Sequence, residues 1–540
     1  MGAFASTLST ASDTFARNRA DMLTLVQRLS DIEARAVVTS NKRRPVFARR
    51  GQIPPHERLS RLIDPGLPFL RLHSLANYLV EDEDPETSVP GANMIAGIGY
   101  VRGVRCLVWI DDSGIQAGSY TKTTNAAILS IQDIAKRQKL PVVHLVESAG
   151  ANLMNFTVEN WVLAGSMFRN LAQLSAMGIP TITVLHGPST AGGAYMPGMS
   201  DYVIGVKNNG LAALAGAALV RAATGEVVDD RELGGSEMHA SVSGLVEYLA
   251  EDDAHAIQMA RDLIGRLNWS GSARLSAAAN FEPPLHDIEQ LAGLVPINYQ
   301  EPYDVRELVA RIVDASDFDE FKSRYGVGTV CLHASIMGQA CGLIGNNAPI
   351  DPDGATKATQ FFQLCDQSGL PIIFLHNTTG YIVGTESERA GMIKHGSKMI
   401  QSVINVRVPK ISMIVGASFG AGNYGMCGMG YDPDFLFAWP NAATNVMGGE
   451  SAAKTMRQVN EAAAARKGAP LDEAALDKMQ SEVEAYMTGQ ENAFYSAGRL
   501  LNHGVIDPRD TRKVLGFCIA TCLEARERTL RPNSFAVARP

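Results

Sequence analysis

The residues of this sequence best placed to do chemistry are two runs of small side chains rather than a set of acids and bases. One run is Gly187, Pro188, Ser189, Thr190, Ala191, Gly192 and Gly193. The other is Gly416, Ala417, Ser418, Phe419, Gly420, Ala421 and Gly422. Each follows a short apolar stretch and opens a helical one. Glycine lets a ligand approach the main chain, and the first N–H groups of a helix have no acceptor inside it, so such a turn can receive negative charge. Each run is matched by a second strand end of small residues, Ala149 with Gly150 and Thr379 with Gly380. N–H groups converging from two loops are what an enolate oxygen requires, because preorganised donors gain strength where charge develops. A lone glycine pair could equally serve close helix packing. Seeing the whole arrangement twice favours the anion receptor.

Neither turn brings a catalytic acid or base with it. Glu147 is the one carboxylate at a strand end, and His186 and His376 fall at unlike positions of the two runs, as structural histidines would. The sequence offers no serine nucleophile with an obvious histidine partner, no Gly-Lys-Ser/Thr phosphate loop and no paired-cysteine zinc ribbon. A site of this kind takes its base most simply from a cofactor that carries the hard chemistry. Two anion holes then imply two oxygens, one on the substrate and one on the cofactor.

The elements that position these turns are themselves repeated. Leu140 to Leu145 leads into Glu147, Ser148, Ala149 and Gly150, and Leu370 to Leu375 leads into Asn377, Thr378, Thr379 and Gly380 at the same internal offset. Thr181 to Leu185 and Ile411 to Val415 precede the two glycine runs in the same way. Near-continuous apolar runs of this length read as strands buried on both faces. Helical patterns over Asn125 to Lys139 and Thr356 to Ser368 precede them, so the chain reads as an α/β protein made of two equivalent domains. The expected division is residues 1–285 and 286–540, with a boundary stretch from Asn268 to Asp304 and a helical insertion over about 453–495. An amphipathic helix is expected over Thr14 to Val37, a basic turn-rich connector over Asn41 to Gln52 and a short helix over His56 to Ile63.

Composition sets the outer limits. The 540 residues, 46% of them hydrophobic, can fill two cores. With 48 basic and 56 acidic residues the net charge is -8, which makes nucleic acid an unsuitable partner. Seven dispersed cysteines suit a reducing compartment better than a disulfide framework, and Cys518 with Cys522 reads as two core thiols, so no metal is expected. The uncharged stretch Ile411 to Tyr431 carries too many glycines for a membrane span and reads as strand, glycine loop and buried helix. A soluble cytoplasmic protein with no membrane partner is the expectation.

Several longer signatures add a family resemblance. They are Arg50, Gly51, Gln52 with Glu57, Arg58, Leu59 and Asp64, Pro65, Gly66; Thr190 through Tyr195 with Pro197; Ala222 through Glu226 with Leu233, Gly234, Gly235; and Gly416 through Cys427 with Trp439, Pro440 and Met447, Gly448, Gly449. Over nearly its whole length the chain resembles the carboxyltransferase (β) subunits of biotin-dependent acyl-CoA carboxylases, nearest the geranyl-CoA and 3-methylcrotonyl-CoA branch. The resemblance implies two tandem crotonase-like (spiral ββα) domains. It implies that the first binds a CoA thioester and the second binds carboxybiotin brought by a partner. No Ala-Met-Lys-Met biotinylation site is present, so biotin carboxylase and biotin carrier functions would belong to an α subunit. A β6 core, as part of an α6β6 assembly, would bring the two surfaces together across a subunit interface.

In the mechanism so implied, carboxybiotin releases CO2, the biotin ureido anion takes an acidic carbon proton, and the enolate attacks CO2. The thioester oxygen would be held near Ala149, Gly192 and Gly193, with Gly150, Thr190, Ala191, Tyr195 and Lys122 lining the CoA side. The biotin oxygen would be held near Thr379, Ala421 and Gly422, with Phe419, Gly420, Asn423, Tyr424 and Gly380 around it. Gly422, Asn423 and Tyr424 match the branched, unsaturated-acyl branch, and Gln360 to Gln367 with Ile393 to Gln401 lean toward geranyl-type chains. Two stretches depart from the family pattern. Leu211 to Leu219 carries Ala217 and Ala218 where bulkier residues and a proline pair are usual, and Asn125, Ala126 and Ala127 replace a lysine pair, which leaves Lys122 to meet phosphate. Another acyl-CoA, a biotin-dependent decarboxylase, a crotonase-type hydratase working through Glu147, and a scaffold without transfer activity stay open as alternatives.

Overall fold

Apolar runs that end in small residues fold here as parallel strands covered on both faces. The computed structural model describes residues 3–151, 157–269, 281–468, 470–534 and 537. It contains two mixed sheets of eight strands each, with the same strand order. The first holds β1 (Leu70–Leu72), β2 (Met94–Val101), β3 (Val104–Asp111), β4 (Val142–Ser148), β5 (Thr181–Thr190), β6 (Tyr202–Val206), β7 (Leu211–Ala213) and β8 (Tyr248–Ala250). Its order is β1-β2-β3-β4-β5-β6-β8, with β7 paired to the end of β5. The second holds β9 (Phe318–Phe321), β10 (Thr329–Ile336), β11 (Gln339–Asn346), β12 (Ile372–Thr378), β13 (Lys410–Phe419), β14 (Phe435–Ala438), β15 (Ala443–Asn445) and β16 (Gly504–Val505). Read from β9, it repeats the first strand for strand, and β15 pairs β13 as β7 pairs β5. These are the tandem crotonase-like domains that the resemblance implied.

The chain divides into two compact units. One comprises Ser30–Ala277, Gly498–Leu500 and Thr521–Pro540 and contains the first sheet. The other comprises Met1–Leu29, Ala278–Ala497 and Leu501–Ala520 and contains the second. Of the expected boundary stretch, residues 270–280 lie outside the described residues. The expected insertion region holds two helices, Gly449–Lys467 and Glu473–Glu491, joined through Arg457, which reaches Glu461, Glu473 and Asp477. The expected N-terminal helix spans Asp13–Asn41. The basic stretch expected to be a turn-rich connector forms the helix Arg44–Arg49, because Pro45 sits in the first helical turn, where its missing N–H costs nothing, and Phe47 is buried as its anchor.

Next to the edge strand, each sheet carries a two-residue hairpin whose central residues have positive φ, Arg102 and Gly103 in one and Met337 and Gly338 in the other. That is the turn whose twist suits antiparallel strands. An aspartate closes each. Asp64 accepts the N–H groups of Arg102 (3.0 Å) and Gly103 (2.6 Å) and pairs with Arg261, and Asp314 accepts those of Met337 (2.9 Å) and Gly338 (2.7 Å) and pairs with Arg512. Behind the first sheet, Val143, Leu145, Ile182, Val184 and Ile204 share a core with the helix Asp253–Arg266. In the second, Ile372 and Phe374 pack on Phe361, Phe362 and Cys365 of the helix Pro352–Ser368. All seven cysteines are buried, and Cys518 and Cys522 lie in the helix Thr511–Glu527. The uncharged stretch resolves into β13, the helix Gly420–Gly425 and the 3-10 turn Met429–Tyr431. No helix of the described residues is long and apolar enough to cross a membrane.

Candidate active site

Each turn sits where a parallel strand pair loses its register. β4 and β5 pair from Val142 with Thr181 through Val146 with Leu185, then slip so that Ser148 faces Ser189. β12 and β13 pair through His376 with Ile414, then slip so that Thr378 faces Ser418. Such bulges re-aim the chain at the end of a ladder. In both copies the slip lets the strand end fold against the start of the following turn.

Beyond the slip the two copies continue to match. Tyr120 N–H bonds Gly150 O at 2.9 Å, and Ile350 N–H bonds Gly380 O at 3.0 Å. Gly150 N–H turns back to Ser148 Oγ (3.0 Å) and Gly380 N–H to Thr378 Oγ1 (3.2 Å). The glycine turns then begin with a residue in the left-handed region, Ala191 (φ 54°) in the first and Gly420 (φ 52°) in the second. For an alanine this conformation costs about 1 kcal/mol, which marks the first turn as the more strained. A short 3-10 turn, Ala191–Ala194, follows in one copy and the helix Gly420–Gly425 in the other.

Exposure sorts the expected site residues into two groups. Ala149, Ala191, Gly192 and Tyr195 lie at the surface in the first copy, and Thr379, Ala421 and Tyr424 do so in the second. Gly150, Gly193, Gly380 and Gly422 are buried beneath them. Their burial has a steric reason. A Cβ on Gly422 would stand 2.8 Å from Gly380 Cα and 2.9 Å from Thr378 Cγ2, so this glycine lets the two strand ends touch. A Cβ on Gly193 would lie 3.3 Å from Ser189 Oγ, whereas one on Gly192 would meet nothing nearer than Phe168 at 3.9 Å. Gly192, rather than Gly193, therefore borders open space.

The donors also differ from the simple expectation. The Ala149 N–H is engaged by Ala117 O at 3.0 Å, within the loop after β3. The first turn offers instead the N–H groups of Ala191 and Gly192, which precede the first bond of their 3-10 turn. In the second copy Thr379 N–H has no acceptor among the described residues, and the N–H groups of Gly420, Ala421 and Gly422 open a helix. Phe419 turns its ring into the core, edge-on to Tyr299 at 5.0 Å, so it can offer the site only main chain. Asn423 donates to Ser418 Oγ (2.8 Å). Tyr195 stands edge-on to Phe168 at 5.7 Å. Lys122 is the exposed first residue of the helix Lys122–Arg137, two positions after the Tyr120 that bonds Gly150. Asn125 is buried against Asn160, and of the two alanines that follow, Ala126 faces solvent and Ala127 the core.

Beneath the first turn lies a charged cluster whose members the residue order names separately but does not join. Arg58, wholly buried, reaches Glu147 (2.6 Å) and Asp253 (3.3 Å). Gln52 Nε2 donates to Glu147 Oε1 (3.0 Å) and His186 O (2.9 Å), and His186 Nδ1 pairs with Asp253 (2.8 Å). Burial alone would raise the Asp253 pKa, but His186, Arg58 and the Ile53 N–H hold it down at about 2. The one signal for it in the residue order is the grouping of Arg50, Gly51, Gln52, Glu57 and Arg58, which carries the family resemblance without announcing a buried charge. His376 is buried against Ser418 Oγ, and burial pushes its pKa down to about 3. Neither histidine reaches a surface, as expected of structural residues. Among the described residues no group of acidic, histidine and cysteine side chains is arranged to hold a metal ion.

Comparison with known proteins adds the family. Residues 48–535 match the model of the carboxyl transferase domain. The crystal structure of the geranyl-CoA carboxylase β subunit of P. aeruginosa superposes with a TM-score of 0.92, is 49% identical, and covers 99% of this chain and 100% of that one. A probable biotin-dependent acyl-coenzyme A carboxylase β2 subunit of Mycobacterium tuberculosis is 46% identical over 472 residues, 87% of this chain and 88% of its own. The mitochondrial methylcrotonoyl-CoA carboxylase β chain of Arabidopsis thaliana is 40% identical over 501 residues, 91% of this chain and 84% of its own.

Proposed function

The chain belongs to the carboxyl transferase domain family, and from that premise we propose that it is the carboxyltransferase subunit of a biotin-dependent acyl-CoA carboxylase of the geranyl-CoA and 3-methylcrotonyl-CoA branch. The acceptor is a branched α,β-unsaturated acyl-CoA, with geranyl-CoA favoured. The observation that carries this reading is the pair of matched turns, each exposing main-chain donors at the end of a slipped parallel strand pair.

On this reading the first turn binds the acyl thioester. The N–H groups of Ala191 and Gly192 face its oxygen and strengthen their hold as enolate charge develops there. Tyr195 and Phe168 shape the apolar wall beside it, and Lys122 offers a cation to a CoA phosphate. The second turn binds the ureido oxygen of carboxybiotin through the N–H groups of Thr379, Gly420 and Ala421, and Gly422, named with them from residue type, lies buried beneath. Carboxybiotin, when bound, supplies both CO2 and the base, which fits a turn whose strand-end carboxylate, Glu147, is buried and already paired. That pairing also speaks against hydratase chemistry through Glu147.

The biotin comes from a partner α subunit carrying the biotin carboxylase and carrier functions. We assign a homo-oligomeric β core, β6 within α6β6. Exposed apolar side chains flank both turns, with Val158, Trp161, Val162 and Leu163 ahead of Phe168 on one helix and Ile382, Val383 and Ile393 after Gly380 in the second copy. So much exposed apolar surface calls for a partner.

The test is to mix the purified chain with its biotinylated partner, ATP and labelled bicarbonate and to offer a panel of acyl-CoAs. Label is expected in geranyl-CoA or 3-methylcrotonyl-CoA. A partner that charges normally while no acyl-CoA gains label would refute the assignment.

A further inference from the structure

We propose that Glu147 is a positioning residue for the acyl-CoA turn and that, with Asp111, it forms a buried ionic clamp that the carboxybiotin copy lacks. The inference rests on the assignment of the two turns given above.

Glu147 is held from both sides at the strand slip. Its carboxylate takes Arg58 (2.6 Å) and Gln52 (3.0 Å), while its N–H is directed to Asp111 Oδ2 (3.2 Å). Asp111 also faces the Tyr120 hydroxyl (3.3 Å) and His144 Nε2 (3.3 Å), and all three of these side chains are buried. The Glu147 side chain lies flat against β5, for a Cβ added at Gly187 would be 2.5 Å from its Cγ. The next residues carry the constraint onward. Ser148 is registered with Ser189, and a Cβ on Gly150 would stand 3.2 Å from Thr190 O, directly before the Ala191 and Gly192 donors. A shift at residue 147 therefore reaches the anion-binding groups through touching main chain.

The duplicate shows what the same backbone does without charge. Asn377 stands in place of Glu147, and among the described residues its Oδ1 accepts only the Ala417 N–H at 3.3 Å. Asn346 replaces Asp111 and lies at 3.5 Å from Asn377 N. Phe374 and Ile350 replace His144 and Tyr120. A buried cluster of ions is costly and is a poor way to gain stability, so its presence under one turn alone points to geometric control of that turn. Donors that act on a developing charge lose most of their effect when misplaced by a fraction of an ångström to an ångström.

The experiment measures two half-reactions on the β subunit reconstituted with its charged, biotinylated partner. These are carboxylation of geranyl-CoA or 3-methylcrotonyl-CoA, and loss of the carboxyl group from the partner's carboxybiotin in the absence of acyl-CoA. Glu147→Gln is expected to lower kcat for acyl-CoA carboxylation about tenfold to a hundredfold, with KM little changed and the biotin-only reaction intact. Asp111→Asn, the residue the second copy already accommodates, should shift kcat the same way by a smaller factor and serves if the first variant folds poorly. A rise in KM at unchanged kcat, an equal fall in both half-reactions, or full activity of both variants would overturn the clamp. The wild-type rate in the same assay reports separately on the carboxyltransferase assignment itself.

Discussion

Gly192 and Gly422 show why equivalent-looking glycines differ at the residue scale. At Gly192 an added side chain enters open space in front of the Ala191 and Gly192 donors, whereas at Gly422 it strikes the backbone of Gly380. Gly192→Val is therefore expected to abolish acyl-CoA carboxylation while leaving the thermal midpoint within a few degrees of wild type. Gly422→Val should cost about 3 kcal/mol of stability through overpacking and lower the midpoint clearly. Kinetics and a melting curve on the same samples separate the two. Residue types alone put both Gly193 and Gly422 in ligand space, yet both are buried. Small side chains mark a turn as a backbone feature, but which of its faces looks outward depends on the left-handed start at Ala191 and Gly420, which composition does not reveal. The engagement of Ala149 by Ala117 is hidden for the same reason, because the partner lies in a loop with no distinctive residue of its own.

Elements are legible in proportion to how periodic they are. The buried strands Val142–Ser148, Thr181–Thr190, Ile372–Thr378 and Lys410–Phe419 and the helices before them follow from apolar runs and a repeated offset. The hairpins β2–β3 and β10–β11 do not, since Arg102-Gly103 and Met337-Gly338 are weak turn signals beside the glycine-rich runs elsewhere. Their positive φ is stabilised from outside by Asp64 and Asp314, residues distant in sequence from the turns they close. Each carboxylate holds two turn N–H groups and an arginine. Asp64→Ala and Asp314→Ala should each cost about 2 kcal/mol by leaving those donors unpaired, with similar losses in the two copies. Thermal unfolding of the two single variants checks this, and a loss confined to one copy would show that the two hairpins are not held alike.

For the whole molecule, internal duplication is legible in the order of residues alone, and it determines both the number of sheets and their common order. Quaternary structure depends on surfaces that periodicity does not flag. The helix Val158–Ala176 buries Met167, Leu171 and Leu174 but leaves Val158, Trp161, Val162 and Leu163 in solvent, Trp161 with 65% of its surface exposed. On the proposed β core, Trp161→Asp is expected to give a smaller species than the wild-type chain without loss of fold, as light scattering and circular dichroism together would report; an unchanged mass would show that this face is not buried between copies. The strand slip leads to a different kind of conclusion. It occurs at the same step of the same strand pair in both halves, Val146 to Ser148 against Leu185 to Ser189 and His376 to Thr378 against Ile414 to Ser418. A shared irregularity of this kind fits a common origin of the two halves, and on the proposed reading the half-length chain would already have carried main-chain donors for one anion. Two such halves, joined in one chain, then differ in what lies beneath the turn, Glu147 with Arg58 in one and Asn377 in the other, so duplication left the main-chain donors alike and their supports free to diverge.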